Sequence, residues 1–579
     1  MIDHSLGDAN SPSPESTSGS VGRRGLLRGA AALAAVPVLL AADPAVAAAE
    51  LPGFPAEVAL YRSAYRNWAG EITADGLWAC APGGPEQALA VVNWAWRNGW
   101  RVRARGAAHG WSPLTVTEGT TTRNRVLLVD TAPRLTRLAL DSPTAVRAGA
   151  GVTLETLLTF LEGHGLGLTA APAPGDLTLG GALAIGAHGT AVPAAGEEPP
   201  PGTAYGSLSN RVLELTAVVW DAAAGSYVLR TFRRGEADTA ALLTHLGRSL
   251  VTEAVLRVGP DTRLRCVSRT DVPARELFAA PGSGGRTLES FLHRSGRVEA
   301  IWFAFTEHPW LKEWSVAPVR PAGSRHVTSP YNYPFSDSVP TPVADLVGRL
   351  FSGAAWYLAP VLGQAQLTAA RLGLAATFSA DLWGPSKNTL LYIRPTTLRV
   401  TASGYAVLTR RSGVQRVVHE FTRFYRERLA AYAARGRFPV NGSVEIRVTG
   451  LDDPAATGVP GAQAPLLSAV RPDPAHPEWD TAVWLDVLTL PGTPYAGAFQ
   501  RELERFLLDR YDGGYARTRV EWSKGWAYTA DDAWRDPDVL GTDVPGSFGP
   551  RTWARAVTTL DRLDPHRVFG NGFLDRLLR

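Results

Sequence analysis

Cysteine, methionine and lysine are almost missing from this chain of 579 residues. Its two cysteines, Cys80 and Cys266, cannot by themselves hold a structural zinc or an iron–sulfur cluster, and no metal site is expected. They either pair, as an exported protein allows, or remain two buried thiols, and the sequence leaves both open. Met1 is the only methionine. A chain without oxidisable thioethers suits work beside peroxide, and base composition explains it equally well. Lysine occurs only at Lys312, Lys387 and Lys524 among 58 basic residues. A lysine that persists against such a bias marks a place where the planar arginine fork does not substitute. The net charge of +4 is small for this length and the basic residues are scattered, which argues against nucleic-acid binding. Apolar content of 45% with 18 tryptophans supports sizeable cores, and the length calls for two or three domains.

The apolar run near the N-terminus, Ala30 to Ala42, is too short and alanine-rich for a good membrane span. It follows Gly22-Arg-Arg-Gly25 and precedes the small-x-small site Ala45-Val46-Ala47. Paired arginines before a modest apolar core read as a twin-arginine export signal over residues 1–47. That route carries folded proteins, often with a cofactor in place. The expectation is a secreted protein that begins near Ala48.

What is present is organised around Arg105-Gly-Ala-Ala-His109-Gly-Trp-Ser112. Alternating apolar and basic residues from Arg101 read as a short strand leading into it. The turn Gly106, Ala107, Ala108, His109, Gly110 lets backbone come close to a ligand, and successive amides there make an anion cradle. His109 has nothing beside it in sequence to pack against, so it faces a ligand or water. An amphipathic helix from Pro85 to Trp96 and a buried strand from Val126 to Asp130 flank this stretch. A strand from Val146 leads to a helix from Leu154 to His164, capped by Thr153 and ended at Gly165. The loop Pro172-Ala-Pro174-Gly175-Asp176-Leu-Thr-Leu179 then reaches Gly180-Gly181 at a helix start, where amides and macrodipole favour a pyrophosphate. The small-residue helix runs on to Gly186-Ala-His188-Gly189-Thr190. This order of glycines is not the Rossmann fingerprint, so the nucleotide-binding solution is a different one.

Three motifs in this order and spacing resemble the FAD-binding domain of the vanillyl-alcohol oxidase family. The resemblance implies an α+β chain. It places an FAD-binding domain of that type over residues 48–263, an α+β substrate-binding cap domain over 264–547, and a C-terminal return to the flavin over 548–579. The return is carried by Asp564-Pro-His-Arg-Val-Phe-Gly-Asn571-Gly-Phe573. FAD is the implied cofactor. His109 stands where the family's loop histidine carries the flavin covalently through its 8α-methyl group, with His188 the second choice. The cofactor-binding set marked in this way is Arg105, Gly106, Ala107, Ala108, His109, Gly110, Ser112, Pro174, Gly175, Asp176, Leu179, Gly180, Gly181, Gly186, His188, Gly189, Val251 and Asn571.

Between about Leu264 and Ser547, proline, tryptophan and tyrosine become frequent, and four segments hold the candidate chemistry. Ser295 to Phe305 alternates as a strand and carries Glu299 ahead of aromatics. In Gly442 to Thr449, Glu445 and Arg447 share one strand face; such a pair is usually a weak surface contact, and inside a pocket it is a gate or anion anchor. Ala482 to Leu488 carries Asp486 in an apolar run, and Val520-Glu-Trp-Ser-Lys524-Gly-Trp526 carries Lys524. Together with Trp310-Leu-Lys-Glu-Trp314, these marks are most similar to the covalent-flavin type of cholesterol oxidase. The resemblance implies a catalytic set of Glu299, Glu445, Arg447, Lys524 and Asp486, with the Glu445–Arg447 pair gating oxygen. It leads one to expect asparagine where Asp486 stands, so that position departs from the pattern.

The implied reaction converts a 3β-hydroxysterol such as cholesterol to the 4-en-3-one and reduces oxygen to hydrogen peroxide. Glu299 and Glu445 are the expected bases, raised toward neutrality by an apolar pocket, and Glu299 is the expected carrier of the C4 proton to C6. Arg447 or Lys524 would stabilise the alkoxide or the reduced flavin. Sterol and oxygen are the expected partners, with no obligatory protein partner. Val347 to Phe378 is the expected wall or lid of a long apolar pocket. It is either an ordinary pair of core helices or a surface that touches a membrane transiently. The competing readings are an alditol or aldonolactone oxidase or dehydrogenase of the same family, and a hydrophobe-binding protein with a vestigial flavin. Aromatic density between Trp302 and Trp356 argues against the first, and the intact His109, Glu445, Arg447 and Lys524 against the second.

Overall fold

Among the described residues, period-two patterning in the first part of the chain yields two main sheets, beside a two-stranded pairing of Leu166–Gly167 with Gly259–Pro260. The structure, a computed structural model, describes residues 51–579 apart from 169, 201–202, 337–345, 350–352 and 354. The export-signal reading of residues 1–47 and part of the expected lid therefore lie outside the described residues. Ala59–Arg66, Thr73–Ala81, Val126–Asp130 and Arg101–Arg105 lie side by side in that order, the first pair antiparallel and the rest parallel. The helix Pro85–Arg97 covers this sheet with a stripe of Ala88, Val91, Val92 and Ala95, which meets Trp78, Val102 and Leu127 in one core. The second sheet is antiparallel, in the order Leu138–Ser142, Ala145–Gly149, Leu250–Arg257, Val212–Asp221, Ser226–Arg233. Thr153 caps the helix Leu154–Glu162 by accepting from the Thr156 amide. That helix stops two residues short of the expected His164, because the His164 and Gly165 amides turn to the carbonyls three residues back, Leu161 at 2.9 Å and Glu162 at 3.0 Å.

The rest of the chain builds a nine-stranded sheet. Its order is Arg325–His326, Asp381–Pro385, Arg263–Arg269, Trp310–Val316, Arg297–Phe303, Ser443–Gly450, Thr481–Thr489, Thr401–Thr409, Ala516–Val520. Neighbours are antiparallel except for the parallel first pair. Residues directly opposite in such a ladder share a face. Lys312 is opposite Glu299, Glu299 opposite Arg447, and Arg447 opposite Trp484. Two residues along, Glu445 is opposite Asp486 and Asp486 opposite Gly404. Both rows therefore lie on one face. The alternating residues Val298, Ala300, Ile446, Val448, Val483 and Leu485 are buried on the other face, in one core with Val417, Phe421 and Tyr425 of the helix Val414–Ala433.

The architecture is α+β, as expected. Cys80 and Cys266 are both buried and free, in different sheets, which removes the disulfide alternative. Among the described residues no helix is long and apolar enough to cross a membrane.

Candidate active site

One cavity of about 560 Å³ runs from the Arg105–Ser112 loop to the charged face of the nine-stranded sheet. The loop leaves its strand through Ala108, held in the left-handed region at φ 53°. His109 is not without a packing partner, as its sequence neighbours suggested. Its ring stacks on Trp68 with centroids 3.6 Å apart. Trp68 arrives from the turn between the first two strands, where local sequence around His109 cannot reveal it. The loop is also pinned to the far end of the chain. The amides of Trp111 and Ser112 donate to the Ser523 carbonyl at 2.7 and 3.1 Å, and the Ser112 hydroxyl donates to the Trp522 carbonyl at 2.6 Å. His109 thus stands in one rigid unit with the Lys524 turn. Burial, with the charges of Lys524 and Arg399, pushes its imidazole down to about 3, so the ring is neutral.

The expected cofactor set divides. Arg105, Gly106, Ala107, Ala108, His109, Gly110, Ser112, Pro174, Gly180, Gly181, His188, Gly189 and Val251 line the cavity. Gly175, Asp176, Leu179, Gly186 and Asn571 do not, and each has a structural duty or position instead. The Gly175 carbonyl accepts from the Glu155 amide, Leu179 is core, and Gly186 turns the chain at φ 67°. Asp176 is half-buried with Oδ1 unpartnered among the described residues, and burial raises its carboxyl. Asn571 ties the C-terminal return to the His109 loop, donating to the Pro113 and Leu114 carbonyls at 3.0 and 3.1 Å. The helix start at Gly180 also differs from expectation. The amides of Leu179 and Gly180 are bonded to the Val152 and Ala150 carbonyls at 2.8 Å, so they are not free for an anion. Gly106 serves a loop-to-loop approach, since a Cβ there would lie 2.0 Å from Thr178 Oγ1.

At the other end of the cavity one guanidinium meets three carboxylates. Arg447 donates from Nε to Glu299 at 2.7 Å, from Nη1 to Asp486 at 2.7 Å, and from Nη2 to Glu445. Lys524 Nζ lies 3.4 Å from the same Asp486 oxygen. Glu299, Glu445, Arg447 and Lys524 line the cavity, whereas Asp486 is fully buried behind them. Four of the five catalytic candidates thus line the cavity, and Asp486, the position that departs from the expected asparagine, lies behind them.

Three residues complete this array without having been singled out for a role. The Tyr392 hydroxyl donates to Glu299 Oε2. Lys312 Nζ lies 4.0 Å from the same oxygen and 3.0 Å from the centre of the Tyr392 ring, with Tyr333, Trp310 and Trp314 around it. Glu521 faces Lys524 and has Oε1 3.8 Å from Nε2 of His188, whose ring stacks on Trp484 with centroids 3.5 Å apart.

The electrostatics correct a second expectation. Burial alone would raise the Glu299 carboxyl, but Arg447 and Lys312, with the Tyr392 hydrogen bond, hold it below the ordinary range. Glu521 is half-buried on the cavity wall, and Lys524 and His188 hold it well below that range. The carboxyl brought near neutrality is Asp486, pushed up to about 7 by burial and the charge of Glu521 against the pull of Lys524 and Arg447.

The cavity carries the marks of a large polar ligand. His109 Nδ1, His245 Nε2 and Ser249 Oγ are buried and have no hydrogen-bond partner among the described residues, and all three residues line it. A family model described as "FAD binding domain" matches residues 78–222, and one described as "Cholesterol oxidase, substrate-binding" matches residues 263–579. The chain belongs to the cholesterol oxidase family. Its cofactor is FAD.

Among solved structures, a solvent-stable cholesterol oxidase is 54% identical at a TM-score of 0.89, covering 91% of this chain and 99% of its own. A cholesterol oxidase from B. sterolicum is 45% identical at a TM-score of 0.88, with the same coverage. Curated relatives are more distant. L-gulonolactone oxidase from Bos taurus is 26% identical over 42% of this chain and 49% of its own length. An alditol oxidase from a Streptomyces species is 26% identical over 47% of this chain and 63% of its own, so the match spans less than two thirds of either relative.

In this member of the cholesterol oxidase family the apolar end of the cavity is walled by Ile301, Phe303, Trp310, Trp314, Phe335 and Leu362. The helix Ala359–Ala376 turns Leu362, Gln366, Ala369 and Ala370 toward the cavity, while Val361 and Leu372 are 62% and 66% exposed. With Tyr357 and Phe378 they leave an apolar outer surface, so this segment is not an ordinary buried helix pair.

Proposed function

We propose that this chain oxidises the 3β-hydroxyl of a sterol such as cholesterol, giving the 4-en-3-one and reducing oxygen to hydrogen peroxide. One observation carries the reading: the Glu299–Arg447–Glu445 wall, the His109 loop and an apolar extension of aromatic residues bound the same cavity. Bound FAD supplies the acceptor for the C3 hydride. The protein's residues do the rest. Glu299, kept ionised by Arg447 and Lys312, takes the hydroxyl proton, passes it on to solvent, where it contributes to the hydrogen peroxide, and, ionised again, carries the C4 proton to C6. Tyr392 and Arg447 fix its two oxygens, so its approach to the ring is set before substrate arrives. Glu445 and Arg447, each side chain 15% exposed, form the more open part of the array and gate oxygen.

FAD is held covalently through His109, whose neutral ring and unpartnered Nδ1 support that role. Residues 1–47 direct export by the twin-arginine route, and N-terminal sequencing of the protein from the culture medium should begin near Ala48. The exposed apolar side chains around Ala359–Ala376 rest on the lipid surface from which the sterol enters.

The test presents cholesterol in phosphatidylcholine vesicles to the holoenzyme and follows the conjugated enone and peroxide together. Equal amounts of both products, with protein that sediments with the vesicles, are expected. Turnover of an alditol or an aldonolactone in place of cholesterol would overturn the sterol reading.

Lys312→Met removes one of the two cations that lower Glu299. A depressed carboxylate is active above its pKa and loses activity as pH falls through it, so the acid limb of kcat/KM should move to higher pH. The rate at neutral pH should fall about ten- to a hundredfold, or about 1.4–2.7 kcal/mol. A profile that only drops in height, with the limb unmoved, would leave Lys312 a packing residue.

A further inference from the structure

We infer that Asp486 and Glu521 share one proton across Gly404, forming an acid pair that sets the charge on Arg447 and Lys524. The inference does not depend on which alcohol is oxidised. Asp486 commits Oδ2 to Arg447 at 2.7 Å and to Lys524 at 3.4 Å, while its Oδ1 is buried without a partner. Glu521 turns Oε1 to the Ser523 hydroxyl at 3.2 Å and to His188, while its Oε2 is buried without a partner. Both unpartnered oxygens border one small space. A Cβ on Gly404 would lie 2.5 Å from Lys524 Cγ, 2.7 Å from Asp486 Oδ1 and 2.9 Å from Glu521 Oε2, so the two oxygens flank the Lys524 stem there.

Gly404 is not there for its backbone, because its φ lies outside the left-handed region. It stands directly opposite Asp486 in the ladder, and its carbonyl accepts from the Glu521 amide at 3.0 Å. The strand thus holds both acids to the one position without a side chain, where any methyl would separate them. Two carboxylates whose unpartnered oxygens border one methyl-sized space repel each other, and a single shared proton relieves that repulsion.

The surroundings agree. Among the described residues the four acids Glu299, Glu445, Asp486 and Glu521 face the three cations Arg447, Lys524 and Lys312, with His188 beside Glu521, so one proton brings the four acids and three cations to neutrality. The opposed directions of the two carboxyls, Asp486 upward and Glu521 downward, place that proton on Asp486. His188 is the other group that could carry it, since its Nδ1 already faces the Gly189 carbonyl at 2.9 Å. Asp486 does not line the cavity. It is a positioning residue: protonated, it leaves Arg447 free to neutralise Glu299 and Glu445, and leaves Lys524 to Glu521.

Infrared spectroscopy of the oxidised holoenzyme tests this through the carbonyl stretch of a protonated carboxyl. In difference spectra at neutral pH, wild type minus Asp486→Asn and wild type minus Glu521→Gln should show the same carboxyl band, on top of the one contributed by buried Glu504, because in the second variant the charge that retains the proton is gone. Loss of the band in both is the signature of a pair. A band that survives in Glu521→Gln would mean that burial alone protonates Asp486. A wild-type spectrum identical to that of Asp486→Asn would place the proton on His188. Either result overturns the inference. If Glu521→Gln does not fold, Glu521→Asp withdraws the carboxylate by one methylene and should lower the pH at which the band disappears; an unmoved midpoint would also overturn it.

Discussion

Arg447→Met is expected to lower kcat/KM for cholesterol by about a thousandfold, or about 4 kcal/mol. The side chain is the meeting point of Glu299, Glu445 and Asp486, all held by one guanidinium. Removing it leaves the Glu299 and Glu445 carboxylates and the Asp486 carboxyl behind a largely buried methyl group, and breaking a single buried ion pair already costs about 3–5 kcal/mol. The site would relieve that repulsion by taking up protons. Glu299 would rise as its largest favourable charge disappeared, and the base would be lost at neutral pH. Arg447→Lys should recover little, because one ammonium cannot present three donors in the plane that the carboxylates define. Steady-state kinetics against pH check this, with the flavin spectrum reporting that the cofactor is still bound. A loss smaller than tenfold in Arg447→Met would mean that the guanidinium is structural and that Glu299 is kept ionised by Lys312 and Tyr392 alone.

The sequence made each strand of this site legible and left their register hidden. Period-two alternation placed Glu299, Glu445 and Asp486 on separate strands, and the two-residue spacing put Glu445 and Arg447 on one face. Nothing local says that Arg447 will sit opposite Glu299, 148 residues earlier in the chain. That pairing is fixed by the nine-stranded ladder, and with it the burial that drives Glu299 and Asp486 in opposite directions. Lys312 was within reach of sequence reasoning. The scarcity of lysine that drew attention to Lys524 applies equally to it, and Trp310, Lys312 and Trp314 alternate onto one face, as an aromatic cage requires. Tyr392 gave no such signal, since it follows the short helix Ser386–Leu390 in a stretch without periodicity. The loop motif likewise exposed His109 but not Trp68. Glycines suggested free amides at Gly180, yet whether an amide is free depends on a neighbouring strand that no local pattern reports.

His109→Ala is expected to abolish covalent flavin altogether. The imidazole is suited to that bond on three counts. It is neutral, because burial and the charges of Lys524 and Arg399 bring it down to about 3. Its plane is fixed by Trp68, and its loop is pinned at Trp111 and Ser112 to the Ser523 carbonyl. Acid precipitation of wild-type protein should leave the yellow colour in the pellet, and the variant should release it to the supernatant. The variant should also lose the aromatic stack, worth about 0.5–1.5 kcal/mol of stability beyond its buried area. Trp68→Leu separates orientation from attachment. It keeps the nucleophile but frees the ring to turn, so covalent incorporation should become slow and incomplete rather than vanish. A yellow pellet from His109→Ala would move the attachment to His188, whose ring is held as firmly by Trp484 at the other end of the cavity.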